Sequence, residues 1–597
     1  MRPESNWRYM IVGIAFAIGG LFIIGQTVRV QVIPSSGDII EGANVFAGHE
    51  QIIYPVRGQI YDRWGNVLAA NKTVYEIGVD LRSVQSPEDI ALVLSGLLED
   101  DYDRLLALTS QEYIERIAVY NLLANFVSVE DVNKLRDMIS TRNQAEAQGI
   151  LDSGPNLTGL LFYPHLQRTY PEDDLASNVL GFVSQEGQGY FGVEEYYDDL
   201  LAGTPQKVWI PNDPNLVEEL PEIPPGTDLV LTIDRNIQAT VEDILDASVE
   251  EVGAVGGTIV VMHPQTGEIL AMASTRRLDL NQYWNYAEVF PDPQLPFNTA
   301  VSKTFEPGST FKILTMAAAL DNGDVKPGTP FVDTGVIEIG GINIRNWNNA
   351  AWGPQTMTGC MQHSLNVCMA WLGQEMGADR YYEYLQNFGI GRNTGVDLAG
   401  ESPGRLKIPG DGDWFPSELG TNTFGQGVSI NMTQLMMATS SIINDGKMVT
   451  PHVVQSIVNP DNQYNITIQV AGEPLYKKTA RQLNQMLTDS LVEEASDALV
   501  TGYSVAGKTG TSEIPTEFGY SLEQTHASFL GWGPVDDPQF MVYVWIEEPQ
   551  TSPWGSVIAA PIFSEVVERL VVLMDIPPDA LRASLKEAPV EEDAPEN

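Results

Sequence analysis

An uncharged, mostly apolar run extends from Tyr9 to Gly25. With Gln26, Thr27 and Val28 it reaches about the 20 residues that cross a bilayer as a helix. From 37 to about 80 the rhythm changes to alternation, in QIIYPVRGQIYD and TVYEIGVDL, which predicts strands. An acidic block over 86–150 reads as helical. It opens on Ser86-Pro87-Glu88-Asp89: an N-cap serine, proline at the first helical position, and acids in the first turn. Ser128 with Glu130 and Asp131 predicts a second such start, and strands are expected again near 159–162. Scattered glycines and the cluster Pro221, Pro224, Pro225 make 170–230 loop-rich, with a domain boundary near Gly226.

Beyond that boundary, Thr232-Ile233-Asp234 ends a strand, and Asp234 can cap a helix containing Ile237 to Ala247. Two apolar strands at 258–262 and 268–274 flank the turn Pro264-Gln265-Thr266-Gly267, a hairpin. Helices dominate from about 305 to 445, strands return at 504–513, 526–533 and 540–547, and a helix covers about 556–574. This order predicts an α+β multidomain fold, with an antiparallel sheet flanked by helices rather than a doubly wound parallel one. The tail over 579–597 is acidic and Pro-containing, and disorder is expected there.

Charge narrows the field. With 79 acidic against 33 basic side chains in 597 residues, the net charge is -46, which repels phosphate backbones and excludes nucleic acid as a partner. The 6 histidines are scattered and no Cys-x-x-Cys occurs, so neither a metal nor another cofactor is expected. Cys360 and Cys368 would lie about 12 Å apart on a continuous helix. That is beyond disulfide range, so both are expected as free, buried thiols. Arg2 and Arg8 precede the apolar run, which favours an uncleaved anchor with a cytoplasmic N-terminus over a signal peptide; no A-x-A-like site follows. A single-pass protein of the cell membrane is expected, with the rest of the chain outside the cytoplasm.

Three short segments carry candidate chemistry. In FEPGSTFKILTMAAAL, Pro307-Gly308 breaks the chain just before a helix, so Ser309 and Lys312 share one face a turn apart. A serine needs a base to become a nucleophile, and a lysine whose pKa is depressed by burial and a neighbouring cation can be that base. Alone the pattern is weak, because about one chance match is expected in a chain this long. In SVAGKTGTSE, Lys508-Thr509-Gly510-Thr511 reads as an extended segment. Lys508 can offer a fixed cation to a substrate carboxylate, and Gly510 can let a ligand backbone approach. The bland alternative is an edge strand with a solvated lysine. Between these two, Ser364 and Asn366 offer a hydroxyl and an amide two residues apart; Ser429 and Asn431 repeat the spacing, and composition does not choose between the pairs.

A serine nucleophile, a lysine base, a Ser/Asn relay and a Lys-Thr-Gly strand, in that order, match the penicillin-recognising pattern. On these residues the chain resembles class B penicillin-binding proteins, the monofunctional, membrane-anchored peptidoglycan D,D-transpeptidases. Arg57-Gly58-Gln59-Ile60-Tyr61-Asp62-Arg63-Trp64-Gly65 is similar to the family's segment after the anchor. Arg168-Thr169-Tyr170-Pro171, Gly181 and Gly192-Val193-Glu194 resemble its second pedestal motif, and Phe424-Gly425-Gln426-Gly427 its GQG turn. That landmark leaves Ser364 and Asn366 with the relay role. The resemblance implies a cytoplasmic N-terminus (1–8), an anchor (9–28), a pedestal or dimerisation-like domain (37–225) with the head at 86–150, and a serine β-lactamase-like transpeptidase domain (226–578).

The resemblance further implies catalytic roles for Ser309, Lys312, Ser364, Asn366 and Lys508, and substrate binding by Thr509, Gly510 and Thr511. Implied ligands and partners are D-Ala-D-Ala stem peptides, β-lactams, a separate membrane glycosyltransferase, and divisome or elongation proteins. Asn178 to Phe182 followed by Gly187-Gln188-Gly189 is more similar to the division type. Competing readings are a D,D-carboxypeptidase or β-lactamase, a β-lactam sensor, and an inactive divisome protein. Arg57, Asp62 and Arg63 are expected to form a structural salt-bridge network between pedestal and catalytic domain, His363 to be an ordinary histidine, and the tryptophans near 346–352 to line a cleft or pack a lid.

Overall fold

In a computed structural model, residues 7–32, 48–115, 117–150, 154–211, 223–516 and 519–587 are described. The apolar run forms a helix, Trp7–Val32, whose segment Met10–Val28 has mean hydropathy 2.1, has no buried residue, and is long and apolar enough to cross a membrane. The chain divides into two compact units, Met1–Val56 with Ala202–Gly226, and Arg57–Leu201 with Thr227–Asn597. In the first, Gly48–Ile53 pairs antiparallel with Gln206–Pro211.

In the second unit, the long strand Val67–Asp80 pairs antiparallel with both Tyr120–Ser128 and Leu160–Thr169. Helices Pro87–Leu98, Tyr102–Thr109 and Val129–Ala147 accompany this sheet, and Ile77, Val79, Ile90, Leu94, Leu105 and Val132 are buried together. The 86–150 block is therefore not helical throughout. Leu123 and Val127, both buried in the strand Tyr120–Ser128, lie four apart, a spacing that a helix and a strand both place on one face. Ser128 caps its helix by accepting from Asp131 N, whereas Ser86 occupies the N-cap position without a side-chain bond.

The hydrophobic core of the unit surrounds a five-stranded antiparallel sheet. Its order is Ile269–Ser274, Gly256–Met262, Phe540–Glu547, Gly519–Gly533, Ala506–Thr516. Phe540–Glu547 and Gly256–Met262 are buried on both faces, which explains their unbroken apolar runs. One face holds Ile259, Val261, Phe529 and Val544 against Leu245 of the helix Arg235–Val252 and Phe563 of the helix Gly555–Leu573. The other face carries Val260, Leu530, Tyr543 and Trp545 in the core that contains Ile313 and Leu314 of the helix Lys312–Asn322. Asp234 caps Arg235–Val252 by accepting from Asn236 N and Ile237 N. The tail expectation fails at its start: Asp579–Glu587 is helical, and Arg582, 8 % exposed, pairs with Asp536 and Asp579. An acidic composition does not prevent a turn of helix from docking when its one arginine is buried against acids. Residues 588–597 lie outside the described residues.

The contacts of Arg57, Arg168, Asp62 and Arg63 fall into two groups. Arg57 pairs with Glu194 and Asp198, each at 2.7 Å, and Arg168 pairs with the same Glu194, which is fully buried. Asp62 instead accepts from Trp64 N and Asn66 N and, at 3.3 Å, from Arg235 N, and Arg63 reaches Glu268 at 3.6 Å. The first group locks the 57–201 region to itself; the second ties it to the segment that opens the sheet domain.

Candidate active site

The site is built where a sharp turn meets the edge of the five-stranded sheet. Pro307 precedes Gly308, whose φ of +57° puts it in the left-handed region, and a Cβ there would meet Thr511 O at 2.6 Å. The next residues, Gly308–Phe311, form a 3-10 turn before the helix proper begins at Lys312. Residues three apart eclipse in a 3-10 turn, so Lys312 lies over Ser309. Ser309 faces a cleft of about 420 Å³, which Ser364, Asn366, Thr509 and Thr511 also line. Among the described residues its hydroxyl has no hydrogen-bond partner.

Lys312 is fully buried. Its Nζ donates to Ser364 O at 2.6 Å, Ser364 Oγ at 3.1 Å and Asn366 Oδ1 at 2.7 Å. Burial holds its pKa well below the ordinary lysine value, the nearby Lys508 cation lowers it further, and the Glu494 carboxylate opposes both.

Ser364 reaches this lysine because the chain breaks around it. Helix Met357–Gln362 ends, Ser364 takes φ +53°, and a new helix begins at Asn366. A left-handed serine costs of order 1 kcal/mol or more and persists only when its surroundings fix it. The same break corrects the cysteine expectation. Cys360 and Cys368 are joined in a disulfide with Cα atoms 6.1 Å apart, because the segment is two helices with a reversal between them and not one continuous helix. The crosslink brackets Ser364 and Asn366. The rival pair lies elsewhere: Asn431 caps the helix Met432–Ile443 in a capping box with Gln434.

Lys508, Thr509, Gly510 and Thr511 lie on the edge strand Ala506–Thr516. Lys508 is not solvated; its side chain is fully buried and paired with Glu494. Thr509 and Thr511 face the cleft, and Gly510 faces away from it. A Cβ on Gly510 would sit 2.3 Å from Ser528 Oγ and 3.0 Å from Thr310 Cγ2. The close approach that this glycine permits is therefore that of the protein's own turn around Ser309, and not of a ligand backbone.

Trp347, Trp352 and Trp554 wall the cleft. Trp347 meets Trp554 edge-on at 5.3 Å, and His363 stacks on Trp352 at 4.3 Å while its carbonyl accepts from Trp347 Nε1. His363 is thus a brace for the wall. Gly425, at φ +80°, accepts from Gly308 N through its carbonyl and so braces the turn that carries Ser309. Gln426 lines the cleft and donates to Glu513 at 3.1 Å.

Sequence reasoning missed the acidic side of the cleft, Glu493, Glu494 and Glu513. Glu494 ends an ordinary amphipathic helix, Lys477–Glu494, and its partner lies on a different element, so no local pattern marks it.

Comparison with known proteins adds a second line of observation. The model of the penicillin-binding protein transpeptidase domain matches residues 257–568, and that of the penicillin-binding protein dimerisation domain matches 52–226. Stage V sporulation protein D of Bacillus subtilis is 33 % identical over 531 residues, covering 86 % of this chain and 77 % of that protein. A probable peptidoglycan D,D-transpeptidase of Pseudomonas aeruginosa, PbpC, is 28 % identical over 592 residues, covering 97 % and 98 %. Among solved structures, penicillin-binding protein 3 of Mycobacterium tuberculosis, complexed with aztreonam, superposes with a TM-score of 0.66 at 24 % identity, covering 88 % of this chain and 98 % of that one.

Proposed function

Since the chain belongs to the class B penicillin-binding proteins, the serine-type peptidoglycan D,D-transpeptidases, we propose that Ser309 is its acyl-accepting nucleophile and Lys312 its base. The observation that carries this reading is Lys312 itself: a fully buried amine, one 3-10 turn after a cleft-facing serine, with its Nζ fixed by Ser364 and Asn366. A lysine kept in that environment is available as a neutral amine far below the pH at which a solvated one would be.

Ser309 Oγ attacks the carbonyl of the penultimate D-Ala of a stem peptide while Lys312 Nζ takes its proton. Backbone N–H groups of Ser309 and Thr511 hold the oxyanion. As the C–N bond breaks, a proton passes through Ser364, with Lys508 beside it, to the departing D-Ala amine. The acyl-enzyme is then attacked by the amine of a second stem. Its proton leaves by the same relay, and the ester bond to Ser309 breaks to give the cross-link and the free hydroxyl. Lys508, Thr509 and Thr511 receive the donor's terminal carboxylate, and Asn366 its amide. A β-lactam enters as a mimic of the donor and its ring opens onto Ser309; the mycobacterial relative is seen complexed with aztreonam.

The helix Trp7–Val32 is the anchor in this reading, with Arg2 and Arg8 on the cytoplasmic side and the catalytic unit outside. Septal synthesis beside a separate membrane glycosyltransferase fits the 178–189 segment, and fluorescence-tagged protein concentrating at midcell is the expected localisation. The chemical assignment is tested by intact-mass measurement after exposure to ampicillin. The expected product is one ligand mass added on the peptide carrying Ser309; an adduct elsewhere, or none, refutes it.

A further inference from the structure

Two of the three residues assigned to the ligand's carboxylate, Lys508 and Thr509, are already engaged by a carboxylate of the protein. Glu494 Oε1 accepts from Lys508 Nζ and Thr509 Oγ1 in two close contacts, and from Thr509 N at 3.3 Å. The Lys508 side chain is 0 % exposed and that of Glu494 5 %, so the pair is closed off from solvent. Glu494 Oε2 is buried and has no partner among the described residues, although it belongs to a side chain that lines the cleft. Helix stability does not account for this placement. Glu494 is the last residue of Lys477–Glu494, where the helix dipole disfavours an acid. The acid is held there by Lys508 and Thr509, from a different element.

Resting on the reading that Lys508 and Thr509 receive the donor's terminal carboxylate, we propose that Glu494 is a specificity residue that occupies this carboxylate subsite in the free enzyme and has to release both donors before a carboxylate-ended donor or β-lactam seats. Two carboxylates sharing one buried lysine leave an unneutralised charge in a desolvated cleft, which is costly. Seating is therefore an exchange. The incoming carboxylate gains the contacts that Glu494 loses, and the net contribution of the ligand's carboxylate to recognition is small. Glu494 acts through Lys508 and Thr509 and not on the reacting atoms, so it sets which ligands enter and leaves the acylation chemistry to Ser309 and Lys312.

The test uses the full-length protein and two probes that differ only in this group, benzylpenicillin and its methyl ester. A charge-assisted contact to an unoccupied lysine favours the acid by about tenfold or more. In the unaltered protein the second-order acylation constants for acid and ester are expected to differ by less than about tenfold, because exchange cancels that gain. In Glu494→Gln, which keeps the shape and removes the charge, the acid-to-ester ratio is expected to rise about tenfold. A ratio is independent of how much of the variant is folded. A ratio that stays the same or falls in Glu494→Gln overturns the proposal. Where the variant yields no folded protein, the unaltered protein decides: a ratio under about tenfold upholds the exchange and a larger one overturns it. Acylation by neither probe would refute the Ser309 reading itself, and the exchange with it; acylation with the wrong ratio refutes only the exchange.

Discussion

Replacing Lys312 by alanine removes a side chain with two separable duties. One, under the proposed mechanism, is proton transfer from Ser309; the other is filling a fully buried site whose Nζ bonds to Ser364 O, Ser364 Oγ and Asn366 Oδ1. Loss of a positioned base costs on the order of 10² to 10⁴ in rate, which corresponds to about 2.7–5.4 kcal/mol of barrier. Lys312→Arg separates the duties. It retains a donor and a charge, but a guanidinium does not become neutral in a protein, so the arginine variant is expected to lose acylation as fully as alanine does. The pH profile supplies the second arm. A lysine of ordinary pKa is neutral in only about one molecule per thousand at pH 7.5, and each unit by which its pKa falls raises that fraction about tenfold. Burial and the Lys508 cation lower the Lys312 value. Acylation is therefore expected to rise with pH and to level off well below the ordinary lysine value of 10.5. Stopped-flow labelling with a fluorescent penicillin measures both arms. Lys312→Ala or Lys312→Arg within tenfold of the unaltered rate, or a rate still climbing at pH 10, would refute the assignment of Lys312 as base.

Three further outcomes follow from the same geometry. The Cys360–Cys368 crosslink closes a short loop around Ser364 and Asn366; loop-closure entropy gives it about 2.6 kcal/mol, so Cys360→Ala with Cys368→Ala is expected to lower the melting temperature and slow acylation, and calorimetry with and without a thiol reductant checks this. Gly510→Ala forces a methyl against Ser528 Oγ and Thr310 Cγ2, at about 1–3 kcal/mol for overpacking, and it should slow penicillin labelling by displacing the Ser309 turn; labelling at the unaltered rate would show that the turn does not depend on this contact. Glu242 is mostly buried, and burial outweighs its Arg277 partner to push its carboxyl up to about 7 from 4.5; the folded state therefore holds an extra proton between these values, the stability it contributes is full below pH 4.5 and lost as pH rises through about 7, and Glu242→Gln should flatten that part of a chemical-denaturation profile.

What could be read in the sequence was the placement of candidate residues in short local segments. Ser309 and Lys312 are three apart on one turn, so neighbour spacing alone placed them on a common face, and Lys508 to Thr511 is one stretch of strand whose alternation sets Thr509 and Thr511 together. The alternating and apolar runs likewise announced the central sheet, because the strands buried on both faces have no polar positions to interrupt them. Tertiary pairings were out of reach. Glu494 meets Lys508 only after a helix end folds against an edge strand. Trp554 joins Trp347 across the cleft from more than two hundred positions away. The disulfide escapes a reading that extends helix geometry through Ser364, where a left-handed residue reverses the chain. The strand Tyr120–Ser128 was hidden by a spacing that two kinds of element share.

The most direct test of the account is the fate of a D-Ala-D-Ala-ended stem substrate supplied together with an amine acceptor. The purified full-length protein is expected to release one D-Ala for each cross-linked product formed, and Ser309→Ala to release none. Release of D-Ala with water as the sole acceptor would make the protein a hydrolase, and release persisting in Ser309→Ala would contradict the serine acyl-enzyme altogether.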